Sequence, residues 1–246
     1  MKNLGLGLMM AALACTGVRA EEGGPKLPPL KVCMLSGSAE YLSDASLGEF
    51  KPWLEARYNV ACTLLYGKDS SDSMPGIEAL DAADVMFVFM RRIKLAPDQL
   101  AHVKKHCQAG KAVVGLRTAS HAFQTWLEFD KEVLGGNYVG HYGTGPITQV
   151  TLAEKAKDHP ILAGVKPFTT AYSLYQNTGA AADIDLLATG VIPGHTEPLA
   201  WARVHSGGRV FYTSLGGPDD FKNESFRRLV VNAIFWTAKR NVEAKP

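Results

Sequence analysis

Arg117 lies where an α/β enzyme often places its nucleophile. Residues 113–116 read VVGL, an apolar run typical of a buried strand, and RTASHAF follows at 117–123. This pattern predicts a strand that breaks sharply into a helix, as at a nucleophile elbow. An arginine stays protonated near neutral pH and cannot attack a carbonyl. We therefore expect Arg117 to hold or polarise an oxygen, with an internal ion pair as the alternative.

The helix expected after this turn would place Arg117 near a helix N-terminus. That end of a helix carries partial positive charge and free N–H groups. Arg117 would add a fixed cation with several donors. Such a position suits an anion, a polarised carbonyl or a carboxylate partner such as Glu197.

Two histidines accompany this turn in sequence motifs. His121 falls on the first turn after the elbow, and His141 follows the glycine pair at 135–136. A neutral imidazole, with an unperturbed pKa of ~6.5, can act as an acid, a base or a hydroxyl partner. We predict Arg117, His121 and His141 as the catalytic group, and a structural role for either histidine is the alternative.

Further candidates lie just after predicted strands or in turns. One of Arg91 and Arg92 is expected to face the cleft, and two solvated loop arginines are the alternative. The aspartates after Gly217 can bind a ligand, but we favour a cap on the following helix for at least one of them. Glu197 can be a simple loop acid. An aromatic ring such as that of Tyr142 offers a face on which a sugar can stack. The predicted substrate-binding residues are Ser36, Gly37, Arg91, Thr118, Tyr142, Glu197, Gly217 and Asp219.

The elements that must position these residues follow from hydrophobic periodicity. The first half of the chain predicts strands at 30–35, 60–65, 85–90 and 112–116, with helices at 44–58 and 97–109. The second half predicts strands at 147–152, 172–175, 186–189, 199–204 and 210–214, and a closing helix at 224–240. Continuous apolar strands alternating with helices predict a parallel sheet covered on both faces. Ligands of such sheets bind at the carboxyl ends of the strands.

The N-terminus is typical of a secretory signal peptide. A basic Lys2 precedes an apolar run of about 11 residues at 4–14, and Val18-Arg19-Ala20 fits a small-x-small cleavage site. The run is shorter than the ~20 residues that a membrane-spanning helix needs. We predict cleavage after Ala20 and a periplasmic or extracellular location, with lipidation at Cys15 as the alternative. Residues 21–29 are predicted to be a flexible lead-in to one domain at 30–241.

The charge balance excludes some partners. The chain has 26 basic and 24 acidic residues, and removal of residues 1–20 deletes Lys2 and Arg19, which leaves 24 of each. A neutral protein with no basic stripe gives no support for nucleic-acid binding. No later apolar stretch is long enough to span a membrane. We predict a small, sugar-like ligand as the partner and leave a homo-oligomer open.

The cysteines predict neither a metal site nor a nucleophile. Cys33, Cys62 and Cys107 have no spacing that resembles a zinc site, and we predict no metal and no cofactor. Cys33 and Cys62 fall in apolar strands, where they act as small hydrophobes. A Cys33–Cys62 disulfide is the alternative for an exported protein.

Several segments, in their order, resemble the ThuA-like (trehalose utilisation) family, whose fold is like that of the class I glutamine amidotransferases. They span most of residues 31–240: GKAVVGLRTASH at 110–121, LGGNYVGHY at 134–142, DHPIL at 158–162, PLAW at 198–201, GRVFYTSLG at 208–216 and FRRLVVNAIFW at 226–236. The resemblance implies an α/β, flavodoxin-like three-layer sandwich with a mostly parallel central sheet and mixed direction at one edge. It also implies a link to carbohydrate metabolism.

Two departures from this pattern bear on the chemistry. An amidotransferase needs a cysteine thiolate at the elbow and a histidine base, but Arg117 occupies the elbow position. Many relatives carry a histidine where this chain has Gly217. We therefore expect no glutaminase activity. An enzyme of this type would be a carbohydrate isomerase, lyase or hydrolase without a cysteine nucleophile, and a non-catalytic carbohydrate- or small-molecule-binding module is the alternative.

Overall fold

The structure is a computed structural model that describes residues 27–67 and 72–245. The predicted signal peptide at 1–20, its cleavage after Ala20 and the alternative lipidation of Cys15 lie outside the described residues. So does most of the predicted lead-in at 21–29. No helix in the described part of the chain combines the length and apolarity needed to cross a membrane.

The first half of the chain forms four parallel strands with two connecting helices. Their bounds are β1 Leu30–Gly37, α1 Ser43–Glu55, β2 Val60–Tyr66, β3 Val85–Met90, α2 Pro97–Gln108 and β4 Ala112–Leu116. All residues of β3 and β4 are buried, which is why these strands read as continuous apolar runs. The predicted bounds of β3 and β4 match the structure.

The second half adds seven strands and one helix. Their bounds are β5 Gly140–His141, β6 Thr148–Leu152, β7 Phe168–Thr170, β8 Tyr175–Gln176, β9 Asp185–Ile192, β10 His195–His205, β11 Gly208–Thr213 and α3 Glu224–Thr237. The strand predicted at 172–175 is wrong in extent, because an irregular segment separates β7 from β8. In the nine-stranded sheet the order is β2-β1-β3-β4-β11-β10-β9-β6-β7, and β5 and β8 pair separately.

The pairing in the sheet changes once from parallel to antiparallel, between β11 and β10. Strands β2, β1, β3, β4 and β11 are parallel, and β10, β9, β6 and β7 continue the sheet in antiparallel order. One apolar cluster packs α1 and α3 on one face, and a second cluster packs α2 on the other face. The predicted α/β three-layer sandwich with mixed direction at one edge is confirmed.

The register of β1 and β2 excludes the alternative disulfide. Val32 pairs with Cys62, so Cys62 shares a face of the sheet with Val32, while Cys33 points to the opposite face. The two cysteines accordingly belong to different apolar clusters and are free thiols.

The helix predicted after the elbow is replaced by a short turn. Residues Arg117–His121 form a 3-10 turn of five residues, and no α-helix follows directly. The next backbone groups bond to the segment after β3 instead, since Ile93 N–H donates to Ala122 O and Gln124 N–H donates to Ile93 O. Because those groups are already paired, the chain does not continue as a helix. Arg117 therefore gains no helix N-terminus, and that prediction is wrong.

Candidate functional site

Four neighbouring strands bring their carboxyl ends together at one edge of the parallel half. These strands are β1, β3, β4 and β11, and ligands of α/β sheets bind at such ends. The residues that follow β3 and β4 include Arg92 and Arg117, whose backbone φ values are +52° and +44°. Left-handed backbone is uncommon in residues other than glycine and often marks functional sites. This edge of the sheet is therefore the candidate functional site.

The guanidinium of Arg117 is buried and held by oxygen atoms. Arg117 is only 1% exposed. It donates to Ser214 O at 2.6 Å, to Ser173 O and Oγ at 3.2 Å each, and to Tyr41 Oη at 3.1 Å. Among the described residues, no carboxylate lies within ion-pair distance, although the charge of Asp220 acts on it. The alternative of an internal ion pair for Arg117, with Glu197 or another acid, is not seen.

Three tyrosine rings cover this guanidinium. The Arg117 Cζ lies 4.1 Å from the ring centroid of Tyr41, 4.7 Å from that of Tyr175 and 5.6 Å from that of Tyr172. We call these three residues the tyrosine roof. A cation over aromatic faces is attracted by their quadrupoles, which partly replaces a counter-ion. The prediction that Arg117 faces an accessible hollow is wrong, because the roof encloses it.

Gly217 is required by the tyrosine roof. A Cβ at position 217 would collide with the ring of Tyr172. Any larger residue at this position would displace that ring. The glycine at 217 and the covering of Arg117 are therefore parts of one packing arrangement.

The two aspartates after Gly217 have different surroundings. Asp220 is buried and accepts hydrogen bonds from the N–H groups of Gly216 and Gly217 at 2.9 Å each, which fixes this turn. The helix that follows is capped by Asn223, whose side chain accepts from the N–H groups of Ser225 and Phe226, so the expectation of a capping aspartate is wrong. Asp219 is exposed and pairs with Lys222 at 2.9 Å. Burial raises the pKa of Asp220, and the two N–H donors oppose that shift.

His121 is half-buried and kept neutral. Its Nδ1 lies 3.0 Å from Ser120 Oγ, and its ring stacks on Tyr138 with centroids 4.6 Å apart. Burial, and then the nearby charges of Arg92, Arg91 and Arg117, lower the pKa of His121 to about 3. Its Nε2 has no hydrogen-bond partner in the described part of the chain. His121 thus presents an unpaired nitrogen without a charge.

His141 lies in the same aromatic group. It is exposed on β5, and its ring centroid lies 6.4 Å from that of Tyr175, while His121 lies 6.2 Å from the same ring. The Nδ1 of His141 lies 2.9 Å from Tyr142 O. Since a carbonyl only accepts, Nδ1 carries the proton in the neutral ring and Nε2 keeps a lone pair. The structure therefore brings the two predicted histidines near the same ring, that of Tyr175.

A cavity of about 190 Å³ opens beside His121. Polar and charged groups in its lining come from Ser120, His121, Asp130, Lys131, Asn137 and Tyr138. Aromatic rings from Phe123, Trp126 and Phe129 also line it. We call it the His121 cavity. Its size is below the ~300–1,000 Å³ of pockets for drug-sized ligands, which suits a smaller molecule. None of the eight predicted substrate-binding residues lines it.

Asp130 is the least expected group in this cavity. It is 5% exposed, its Oδ2 accepts from Tyr138 N–H at 2.8 Å, and its Oδ1 has no partner among the described residues. Burial raises the pKa of Asp130 to about 6. A Cβ at Gly136 would collide with this carboxyl group, so the glycine pair lets the chain fold closely around it. The wall of the cavity therefore contains a carboxyl group whose unpaired oxygen is buried against Gly136.

Several predicted substrate-binding residues lie inside the fold at the strand ends. Ser36 and Thr118 are fully buried, and Ser36 Oγ bonds to Asp44 Oδ1 at 2.6 Å. Gly37 is buried against Ile93. These groups brace the strand ends and do not reach the His121 cavity.

Arg91 and Arg92 divide their roles at the end of β3. Arg91 is half-buried and pairs with Glu40 at 2.9 Å, after β1. Arg92 is exposed and forms no ion pair with any described residue. Both positive charges help to lower the pKa of His121, that of Arg92 more than that of Arg91.

Tyr142 and Glu197 form a separate group on the antiparallel half. Tyr142 Oη donates to Glu197 Oε1 at 2.8 Å, and Asn177 N–H donates to Glu197 Oε2 at 3.0 Å. Glu197 is 5% exposed, and the ring of Tyr142 stacks on His195 with centroids 4.1 Å apart. Both carboxylate oxygens are occupied, so Glu197 fixes the segments that carry β5 and β8.

Sequence reasoning missed Tyr41, Tyr138 and Tyr172, as well as Asp130. Tyr138 lies between the glycine pair and His141, inside the 134–142 motif. Its place in that motif was the one sequence signal for a role at the site. Tyr41 and Tyr172 are far apart in sequence, and only the packing around Arg117 brings them within 6.2 Å of each other.

The described cysteines are inert. Burial raises the pKa of Cys33, Cys62 and Cys107 to about 12 each, so no thiolate forms near neutral pH. Within residues 27–67 and 72–245, no group of three or more His, Cys, Asp or Glu side chains is arranged to hold a metal ion. The residues that can do chemistry at the strand ends are therefore imidazoles, phenols and arginines.

The comparison with protein families fits this fold and site. A family model described as trehalose utilisation, ThuA, matches residues 45–237, well over half of the chain. The chain belongs to the ThuA family. This confirms the resemblance seen in the sequence motifs and indicates a carbohydrate-related role. A comparison with curated proteins found no match.

Solved structures extend the comparison to the fold. A ThuA-like protein from Parabacteroides merdae has 17% identity and a TM-score of 0.68, and the match covers 89% of this chain and 93% of that one. A ThuA-like protein from Bacteroides uniformis has 17% identity and a TM-score of 0.66, over 89% and 95% of the two chains. A β-galactosidase from Rahnella sp. R3 has 13% identity and a TM-score of 0.57, over 86% of this chain but 32% of that one. At these identities the likeness shows a shared fold.

Proposed function

We propose that this ThuA protein binds a sugar or an oxidised sugar in the His121 cavity and acts on it without a cysteine nucleophile. The observation that carries the proposal is the set of unpaired polar atoms around His121. His121 Nε2 and the hydroxyl of Tyr138 make no hydrogen bond to any residue of the described ranges. Family membership supports a carbohydrate as the ligand.

The lining of the cavity supports a sugar because it combines two kinds of surface. A sugar has apolar C–H faces and hydroxyl edges, and the lining offers aromatic rings beside hydrogen-bonding groups. Phe123 and Trp126 supply ring surface, while Ser120 and Asn137 supply donors and acceptors. A ligand of monosaccharide size fits the small volume.

The proposed chemistry gives the two histidines different roles. His141 lies outside the cavity lining, near Tyr175, and the Nε2 lone pair of its neutral ring suits a general base for the exposed end of the ligand. His121 stays uncharged beside three arginines and can hydrogen-bond to a sugar oxygen without becoming ionised. Isomerisation, lyase cleavage and hydrolysis all fit such a pair, since none needs a covalent enzyme intermediate. Export of the protein stays a prediction that depends on residues 1–20.

A non-catalytic binding module is the second candidate. The observation in its favour is that packing uses both positions where amidotransferases keep catalytic groups, since Arg117 is covered and Gly217 contacts Tyr172. Such a module would bind the same sugars through the same cavity. It would differ from an enzyme in releasing no reaction product from the bound sugar.

Calorimetric titration of the purified protein tests the proposal. The panel contains mono- and disaccharides and their oxidised forms, each followed by chromatography of the mixture after long incubation. His121→Gln and Tyr138→Phe should each weaken binding roughly tenfold or more, because each removes a group that is unpaired in the protein and available to the ligand. His205→Gln is the matched control, because His205 lies at the opposite end of the sheet.

The outcomes separate the two candidates. Product from the wild-type protein, lost in His141→Gln while binding persists, supports an enzyme. Binding without any product supports the module. If no sugar binds, or if His121→Gln binds as well as the wild type, the sugar site is not the His121 cavity.

A further inference from the structure

The segment 135–139 carries Tyr138 into the site without belonging to a helix or a strand. It follows the π-helical turn Asp130–Leu134 and ends at β5. A backbone N–H group that is shielded from water in such a segment has no regular partner and needs an acceptor elsewhere. Val139 N–H donates to Gln176 O, on β8, at 3.1 Å. The position of Tyr138 therefore depends on the acceptor that its own N–H group finds.

Asp130 supplies that acceptor. Its Oδ2 accepts from Tyr138 N–H at 2.8 Å, and its backbone carbonyl accepts from Gly136 N–H at 3.0 Å. The bond to Tyr138 is the only hydrogen bond that the Asp130 side chain makes with a residue of the ranges 27–67 and 72–245. The one polar contact of this buried carboxyl group is therefore spent on the backbone of Tyr138.

The carboxyl group is confined on its other side by Gly136. A Cβ at position 136 would collide with Asp130 Oδ1, so only a glycine lets the carboxyl group lie this close to the segment. Asp130 is 5% exposed. The carboxyl group consequently has little room to move away from Tyr138 N–H.

Tyr138 in turn connects this segment to His121. Its ring centroid lies 4.6 Å from that of His121, with the two planes 22° apart, and 4.6 Å from that of Tyr175. Tyr138 also lines the His121 cavity. A shift of the Tyr138 backbone would therefore move its ring off the imidazole and its hydroxyl away from the cavity.

We propose that Asp130 is a positioning residue, which holds Tyr138 by its backbone N–H and so keeps the Tyr138 ring on His121 at the wall of the cavity. The effect on sugar binding rests on the proposed function. Asp130 need not touch the ligand, because its unpaired oxygen is buried against Gly136. Since it acts only through Tyr138, the removal of its side chain has no further effect where the Tyr138 ring is absent.

NMR of the ligand-free protein tests the positioning step without any sugar. The Tyr138 ring shields the imidazole protons of His121, so Tyr138→Ala should shift their resonances to higher frequency. Asp130→Ala should shift them in the same direction, and it should cause no further shift when added to Tyr138→Ala. Asp130→Asn keeps an oxygen acceptor of the same shape and should leave them near the wild-type position. Glu128→Ala removes an exposed carboxylate two residues earlier and is the control.

Calorimetry with glucose and galactose as probes tests the effect on binding. Asp130→Ala should weaken the affinity about tenfold, and Asp130→Asn by less than about threefold, because one well-placed group at the cavity is lost only in the first variant. In the Tyr138→Ala background, Asp130→Ala should cause no further loss. Gly136→Ala displaces the carboxyl group from the other side and should act as Asp130→Ala does. Gly143→Ala is its control, since a Cβ there meets nothing within 4 Å.

The outcomes separate this proposal from the proposed function. Wild-type His121 resonances in folded Asp130→Ala would overturn the positioning role, and so would additive losses of affinity in the double variant. If Asp130→Asn shifts the resonances as far as Asp130→Ala does, the carboxylate acts by its charge and the proposal is also overturned. If neither sugar binds the wild type, the sugar site fails for these probes, and the NMR result still decides the role of Asp130. Circular dichroism checks each fold, and Gly136→Ala replaces Asp130→Ala if that variant is unfolded.

Discussion

Arg117 and Arg92 follow two neighbouring parallel strands, and both have left-handed backbone, yet their side chains have opposite surroundings. Arg117 is enclosed by three tyrosines and bonds to buried carbonyl oxygens. Arg92 is exposed beside the wall of the His121 cavity. The same local turn chemistry thus yields a structural cation in one strand end and an exposed cation in the next.

The difference shows that a residue at a strand end is buried or exposed according to the segments that pack over it. Tyr41 comes from the turn after β1, Tyr172 from the segment between β7 and β8, and Tyr175 from β8 itself. These segments meet over β4 and not over the residue after β3. Position 117 is consequently part of the interior, although it occupies the elbow at which related folds keep a nucleophile.

The largest expected effect separates the two arginines by stability. Arg117→Met should lower the free energy of unfolding by about 3 kcal/mol or more, because it leaves the buried carbonyls of Ser214 and Ser173 without a donor, at roughly 1–3 kcal/mol each. Arg92→Gln should change it by less than about 0.5 kcal/mol, as is usual for an exposed side chain. Urea unfolding followed by circular dichroism measures both. Equal stabilities of the two variants would show that Arg117 is not a structural cation.

A smaller effect tests the roof itself. Gly217→Ala should lower the free energy of unfolding by about 1–3 kcal/mol, because the new methyl group overlaps the Tyr172 ring. Tyr172→Ala removes that obstacle, so the double variant should be more stable than the sum of the two single effects predicts. Gly143→Ala is the control, since a Cβ there meets nothing within 4 Å. Strict additivity would contradict the proposed contact.

The third effect is absent at neutral pH and concerns the neutral ring of His121, which feels the charges of both arginines. The pKa of His121 is lowered to about 3 in the folded protein, whereas an unfolded chain has ~6.5. The unfolded state therefore binds a proton first, and the stability contributed by neutral His121 is complete above pH ~6.5 and declines as the pH falls toward 3. His121→Gln should make the free energy of unfolding less sensitive to acid over this range. An NMR titration midpoint for the His121 imidazole near 6.5 would contradict the cationic environment.

Local patterns predicted the parallel half of the fold because its strands are buried on both faces. Strands such as β3 and β4 are short, wholly apolar runs, and their bounds follow from the residues alone. The antiparallel half was less predictable, since β5, β7 and β8 have two or three residues each and depend on their partners. The missing helix after the elbow had a similar cause, because bonds to Ile93 replace helical ones.

The site was predictable only in part. Motif spacing singled out His121 and His141, and the structure places both beside Tyr175. Their catalytic roles stay predictions. The burial of Arg117, Ser36 and Thr118 was not foreseeable, because each residue type is common both at active sites and inside turns. The unpaired carboxylate oxygen of Asp130 is a property of its packing against Gly136.

The sequence by itself determined the family, the layered α/β architecture and the absence of a nucleophile at the elbow, since each depends on residue types in a linear order. Only the tertiary structure decided which strand-end groups reach a ligand. That choice depends on side chains contributed by distant segments, such as the tyrosines that enclose Arg117. Burial and electrostatic fields act across space, so no pattern along the chain shows that Arg117 is enclosed while Arg92 is exposed.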